Sequence, residues 1–221
     1  MEKFDFKKQY KELYAPKNEP SIITVPLMTF IMIDGKGNPN DSEGEYHPAV
    51  ELLYSLSYTI KMSIRNGFTP DGYYDYVVPP LEGLWWLGDK NSMNFSQKDK
   101  YLWTSMIRQP EFVTKEVFDW AVSEVKKKKP QLDVSKARLE AFTEGLCVQI
   151  MHHGPYDEEP KTIAKIDSYI ETHGLISDVG TLLPNGNIRK HHEIYMSDPR
   201  KIKPDNMRTI LRHPVDYIKK E

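Results

Sequence analysis

The sequence has a single cysteine, Cys147, so no intramolecular disulfide can form and a reducing compartment is expected. It has no apolar run of the roughly 20 residues that a bilayer-spanning helix needs. Its first residues, Met1-Glu-Lys-Phe-Asp-Phe-Lys-Lys8, are charged where a secretory leader is apolar. There is no excess of basic charge either. With 30 Lys+Arg against 32 Asp+Glu the net charge is −2, which leaves no electrostatic footprint for nucleic acid. These absences together lead us to expect a soluble cytoplasmic protein that binds neither membrane nor nucleic acid directly.

Cofactor signals are missing as well. Gly35-Lys-Gly37 lacks the rest of a phosphate loop and reads as a tight turn. The doublets His152-His153 and His191-His192 lack helical metal spacing, and neighbours on a strand point apart, so no metal is expected. Cys147 lies in an apolar run beside Val148 and reads as inert core. No cofactor is expected.

Aromatic residues, by contrast, are plentiful: 4 Trp, 13 Tyr and 8 Phe, enough both to fill a core and to wall a site for a flat ligand. At 28% charged and 39% hydrophobic, the 221 residues belong to a globular chain, expected as one domain over 1–221 with halves near 20–130 and 131–221.

Along the chain, residues 3–14 form a short amphipathic segment, and Thr24–Asp34 reads as a strand ending at a glycine turn. Pro48 suits the first turn of a helix carrying Leu53, Leu56, Ile60 and Ile64, stopped by Gly67. Tyr73–Leu87 reads as one or two strands broken by Pro79-Pro80 and Gly83, and Tyr101–Arg108 as another. Thr114 caps a helix with Val117, Trp120, Ala121 and Val125, where Trp120 is read as core, and Lys126–Lys129 closes it. The second half then repeats the order. Arg138–Phe142 and Leu146–His152 are strands, a helix opens at Asp157-Glu-Glu-Pro160 and ends at Gly174, and Arg189–Ser197 and Met207–Arg212 are strands.

The repeat also shows in residues. Ser105-Met-Ile-Arg-Gln-Pro110 aligns with Thr209-Ile-Leu-Arg-His-Pro214, and Asn66-Gly67-Phe68 with His173-Gly174-Leu175. The pattern predicts an α+β fold: two tandem strand–helix–strand–strand units in pseudo-two-fold arrangement, with a central ligand cleft.

Two segments in corresponding places could carry chemistry: Leu81-Glu-Gly-Leu-Trp-Trp86 and His192-Glu-Ile-Tyr195. Strand alternation puts His191, Glu193 and Tyr195 on one face and His192, Ile194 and Met196 on the other. The first set is polar enough to line a cleft; the second reads as core. Glu82 shares a face with Trp86 unless Gly83 makes a bulge. A glutamate among aromatics can neutralise a cation or, desolvated, act as a general base. The plain alternative is that a mid-strand glutamate faces solvent. Trp85, Trp86 and Trp103 read more readily as core than as ligand wall, though only one of the adjacent Trp85 and Trp86 need be core, while Tyr54 and Tyr58, four apart on a helix, either close a groove or pack.

At these residues the sequence resembles the GyrI-like small-molecule-binding domain family, over nearly the whole chain. The resemblance is carried by Phe30-Ile-Met-Ile-Asp-Gly-Lys-Gly-Asn-Pro39, Asp75-Tyr-Val-Val-Pro-Pro-Leu-Glu-Gly-Leu-Trp-Trp86, Gln149-Ile-Met-His-His-Gly-Pro-Tyr-Asp157 and His192-Glu-Ile-Tyr-Met-Ser-Asp-Pro-Arg200. It implies the two-unit fold and a stand-alone form without the DNA-binding domain of drug-sensing relatives. It also implies that Glu193, beside Tyr195, is the cleft glutamate. The Leu81–Trp86 segment looks like the branch that hydrolyses cyclopropane-bearing, DNA-alkylating natural products. By that resemblance Glu193, with Glu82, would activate water and Tyr195 would hydrogen-bond. A hydrophobic aromatic small molecule would rest on Trp85 or Trp86 and Trp103, with Tyr54, Tyr58 and His191 nearby. The alternative is a non-catalytic binder of amphipathic or cationic drugs, or a topoisomerase-inhibitor-like interaction protein.

Overall fold

The computed structural model describes residues 3–87, 97–183, 186 and 188–218. The β-branched run after Pro20 forms β1 (Ser21–Lys36), ended by Gly37 at a left-handed φ of 93°. The first long helix, α3 (Tyr46–Lys61), follows two short N-terminal helices, α1 (Phe6–Gln9) and α2 (Lys11–Tyr14). It opens at Tyr46, so Pro48 lies in its first turn as expected, and Tyr46 extends the stripe of Leu53, Leu56 and Ile60 backward by two turns. Strands β2 (Leu81–Leu87) and β3 (Tyr101–Arg108) complete the first half, and Gly83 does not interrupt β2. Helix α4 (Lys115–Lys128) is capped by the Thr114 side chain, which accepts from the Val117 N–H at 3.4 Å, and Lys126–Lys128 occupy its last turn. Trp120 is half-buried and stacks on Phe68 at 4.5 Å, so it packs at the core's edge rather than inside.

The second half opens with β4 (Ala137–His153), where two strands were expected. Gly145 adopts φ 78°, so the chain kinks there without leaving the sheet. Helix α5 (Glu159–Thr172) buries Ile166 and Ile170, and three-residue β5 (Leu175–Ser177), too short to register as a pattern, follows it. β6 (His191–Tyr195) and β7 (Arg208–Tyr217) end the fold.

The strands lie in the order β4-β1-β3-β2-β6-β7, and β4 also pairs with β7, closing a six-stranded antiparallel barrel; β5 adds to β7. The first half runs β1-α3-β2-β3-α4 and the second β4-α5-β5-β6-β7, and the halves join twice, through β1–β4 and β2–β6. The strands thus close into a barrel, since both edges of each half are paired. Closure leaves two distinct faces. Helix α3 covers the outside of β1 and β3, α4 packs on α3, and α5 covers the outside of β4. The short helices α1 and α2 plug one barrel end: Arg212 Nη2 donates to the Leu13 carbonyl at 3.0 Å and Gln149 Nε2 to the Glu12 carbonyl at 2.7 Å. No described helix is long and apolar enough to cross a membrane.

Candidate active site

Strand β6 distributes its side chains as alternation requires, and its register with β2 decides which residues meet. Gly83 lies opposite Glu193 and Glu82 opposite Ile194. Glu193 and Tyr195 therefore share the outer face with Trp85, and the absence of a side chain at Gly83 makes room for their contact. A Cβ at Gly83 would come within 2.6 Å of Trp85 Nε1 and 3.0 Å of the Tyr195 oxygen. Through that gap Trp85 Nε1–H donates to the Tyr195 hydroxyl at 3.0 Å, and Tyr195 donates to Glu193 Oε2 at 2.8 Å. On the other side His191 Nε2 lies 3.1 Å from Glu193 Oε1, and its Nδ1 is 2.7 Å from His213 Nε2. Glu193 is only 7% exposed, so its carboxylate is held by fixed donors in place of water.

A second acid joins from α5. Glu159 occupies the first position of that helix and is 1% exposed. Carboxyl oxygens of Glu159 and Glu193 and a ring nitrogen of His191 all lie within 4.8 Å of one another. Burial, and then the neighbouring Glu193, push the Glu159 carboxyl well above its ordinary range. Tyrosines complete the shell. Tyr46 tilts against Trp85 at 5.6 Å, Tyr101 meets it edge-on at 5.7 Å, and Tyr156 meets Tyr195 edge-on at 5.7 Å. Burial and then the Glu193 charge keep these hydroxyls protonated, raising Tyr101 to about 12 and Tyr46, Tyr156 and Tyr195 further. Burial, and then His191, hold His213 down to about 3, so that ring is neutral. The set can polarise a water or hydrogen-bond a ligand, and Glu159, His191 and Glu193 could hold a metal ion.

Several expected residues lie elsewhere. Glu82 is on the inside of the barrel, across the sheet from Glu193, so the two glutamates do not face one cleft. The shared place of the two segments hid this, because alternation within a strand does not fix its register against another. Glu82 Oε2 is 3.0 Å from His192 Nε2, and Tyr14 donates to its other oxygen at 3.4 Å. His192, read as core, is buried but polar: its Nδ1 is 3.0 Å from Glu144 Oε2, which also accepts from Arg212 Nη1 at 3.1 Å. Trp86 follows Glu82 to that side, where Lys190 Nζ sits 3.7 Å from its ring centre. Trp103 is on the outer face but fully buried behind Tyr46, at 5.2 Å, and it lies across Gly35, where a Cβ would fall 2.2 Å from the indole. Tyr54 and Tyr58 pair at 6.3 Å on α3; Tyr58 is 51% exposed, and neither hydrogen-bonds Glu193 among the described contacts.

Glu159 was legible only as the acidic first turn of a helix. It also stands at the head of the stripe of Ile163, Ile166 and Ile170, and an acid on an apolar stripe was the available signal. Tyr46 carries the same kind of signal at the head of α3.

Open space lies at the barrel mouth. One cavity of about 470 Å³ is lined by Thr104, Phe142, Glu144, Arg189 and Lys190, and another of about 420 Å³ by Asp34, Trp86, Arg138 and Lys190. Neither is lined by Glu193, whose aromatic shell has half-buried Tyr46, Tyr156 and Tyr195 at its rim.

A sequence model of the GyrI-like small molecule binding domain matches residues 18–216. The chain is 50% identical to a protein from Listeria innocua whose crystal structure is described as that of a hydrolase, with TM-score 0.85, covering 97% of this chain and 100% of that one. It is 52% identical to an uncharacterized conserved protein from Listeria innocua, with TM-score 0.89 and the same coverage. The C-terminal domain of EcmrR shares the fold at 11% identity and TM-score 0.52, over 90% of this chain and 98% of that one. No curated protein matches the chain.

Proposed function

The chain belongs to the GyrI-like small molecule binding domain family, and from that premise we propose that it is a hydrolase of flat aromatic electrophiles. Cyclopropane-bearing, DNA-alkylating toxins are the substrate class, opened by addition of water, and the activity protects the cell. The observation that carries this reading is the buried Glu193 carboxylate, fixed between His191 and Tyr195 inside an aromatic shell and faced by a second acid.

In this reading the rim tyrosines Tyr46 and Tyr156 swing aside and the ligand's flat face rests on Trp85, with Trp103 as the layer behind. Glu193 orients and deprotonates a water aimed at the strained ring carbon, and Tyr195 holds the carboxylate in place. Positioning one water beside a reactive carbon in a dry site supplies a large share of the rate. The repeated strand–helix–strand–strand order supports a pseudo-two-fold relation between the halves, with the site where β2 and β6 join. The described hydrolase neighbour supports the reaction class.

A sequestering protein would need the rings and one carboxylate but no second acid beside it, so Glu159 favours catalysis. The test is incubation of the purified protein with a cyclopropane-bearing DNA-alkylating compound, following the ring-opened product by mass spectrometry beside Glu193→Gln. Catalytic turnover that falls about 10²-fold or more in the variant supports the reading. Tight stoichiometric binding by both proteins without turnover would leave a drug-binding scaffold.

A further inference from the structure

The barrel is plugged at one end by α1 and α2. Along β2 its inner face runs from Glu82, which Tyr14 of α2 touches, through Leu84 to Trp86 at the two mouth cavities. Met32 pairs with Arg138 and Leu84 with Thr104, so these side chains share the inner face, across the sheet from Glu193. Most charges of the mouth are matched. Arg138 pairs with Asp34 at 2.8 Å and with Glu140 at 2.6 Å, and Arg189 with Asp178 at 2.8 Å. Glu144, in the wall of the larger cavity, is held by His192 and Arg212. Lys36 and Glu45 are exposed at the smaller cavity. Lys190 lines both cavities and differs from the rest. Among the described residues no carboxylate lies within ion-pairing distance of its Nζ, which has the Trp86 ring centre at 3.7 Å and the Thr104 hydroxyl at 3.5 Å. That hydroxyl already donates to Asp34 at 2.7 Å. Burial pushes the half-buried Lys190 ammonium below its usual range, and the more distant Asp34 offsets this in part. An ammonium with donors to spare thus stands beside an apolar space of about 470 Å³ walled by Leu84, Phe142 and Leu146. Barrel mouths of this size are where small ligands bind.

We propose that the barrel mouth is a second ligand site, which takes a monocarboxylate on an apolar body. The carboxylate meets Lys190 Nζ where the two cavities adjoin, in a charge-assisted hydrogen bond. The body lies against Leu84, Phe142 and Leu146. One negative charge is what Lys190 can match, because the other charges of the mouth balance. A dianion would bring a surplus charge beside Asp34 and Glu140, and a cation would meet Lys190 with like charge. The sheet stands between this site and Glu193, so the mouth site is independent of the hydrolase reading.

Calorimetric titration of the purified protein with 2-naphthoate, with the methionine ¹³C-methyl spectrum beside it, tests the proposal. One equivalent is expected to bind, and the methyl signal of Met32, which lines the larger cavity, is expected to move in the field of the naphthalene ring. Lys190→Met keeps an apolar chain on Trp86 and is expected to weaken binding about tenfold or more, whereas Lys190→Arg retains it. Naphthalene-2-methylammonium, a similar body of opposite charge, is expected to bind about tenfold more weakly than 2-naphthoate or worse. Thermal melts of both variants confirm that they fold. A parent protein that does not bind 2-naphthoate overturns the proposal. So does binding that leaves the Met32 signal in place, equal affinity in the parent and Lys190→Met, or a methylammonium compound that binds as tightly as the carboxylate. None of these results bears on turnover at Glu193, so failure of the mouth site and failure of the hydrolase reading are told apart.

Discussion

On the inner face of β6, His192 bridges two glutamates, and Arg212 holds one of them from β7. On the outer face of the same strand, His191 reaches Glu193 at 3.1 Å while Glu159 lies close to both. The residue types are nearly identical and their immediate neighbours in sequence are each other, yet the electrostatics differ. Inside, burial works against the charges, but Glu144 and then Glu82 hold His192 up at about 9, and His192 and then Arg212 hold Glu144 down at about 2. The inner cluster is a charge-paired network that pins four strands around the barrel axis, with Glu144 Oε1 lacking a hydrogen-bond partner among the described residues. The outer cluster sets two carboxyls close together next to aromatic side chains, and burial and then Glu193 raise the Glu159 carboxyl. A site that stores unfavourable electrostatics is what acid–base chemistry needs, and a barrel core is where such electrostatics are excluded.

Breaking the inner network gives the largest expected effect on stability. Arg212→Met leaves Glu144 without its guanidinium and should cost about 3–5 kcal/mol by urea unfolding, with bound-ligand chemistry altered only through lost folded protein. Gly83→Ala tests the geometry that separates the faces. Its Cβ would meet Trp85 and Tyr195, so about 1–3 kcal/mol of stability is lost together with the Trp85–Tyr195 hydrogen bond, read by the tryptophan near-ultraviolet dichroism. Tyr195→Phe removes the donor to Glu193 and strands the indole N–H, at about 1–2 kcal/mol, and lowers turnover more than it lowers stability.

The smallest effect is the pH profile of unfolding. The His192 contribution is whole below its ordinary value of 6.5 and is lost as pH rises through about 9. The Glu144 contribution is whole above 4.5 and is lost as pH falls through about 2. Between 4.5 and 6.5 both are whole, so melting temperature in Glu144→Gln should respond least to acid. Glu159 runs the other way from Glu144: its raised value favours the fold at low pH and is lost as pH rises above 4.5.

Much of this was legible in the sequence. The glycine stop after β1, the bounds of β3, the Thr114 cap and the pairing of His191 with Glu193 and Tyr195 follow from local chemistry and alternation. The two faces were not separable because alternation fixes parity within a strand and not between strands. Only the pairing of Gly83 with Glu193 shows that Glu82 and Trp86 turn inward while Trp85 turns outward. Glu159 escaped because an acid in a helix's first turn is ordinary; only the packing of α5 on β4, β5 and β7 brings it near Glu193. The expected strands Arg138–Phe142 and Leu146–His152 are one strand, β4, which Gly145 kinks while it stays paired with β1 before and after the kink.

The most direct test is one substitution made on each face. Glu144→Gln and Glu159→Gln each replace a buried carboxyl by its neutral isostere, and urea unfolding at pH 8 reads both. The account predicts opposite signs: Glu144→Gln loses stability because it removes the carboxylate charge from Arg212 and leaves His192 with Glu82 alone, and Glu159→Gln is neutral or gains stability because it relieves repulsion with Glu193. Loss of stability of similar size in both variants would contradict it, and would make the outer pair a second structural network instead of a working site.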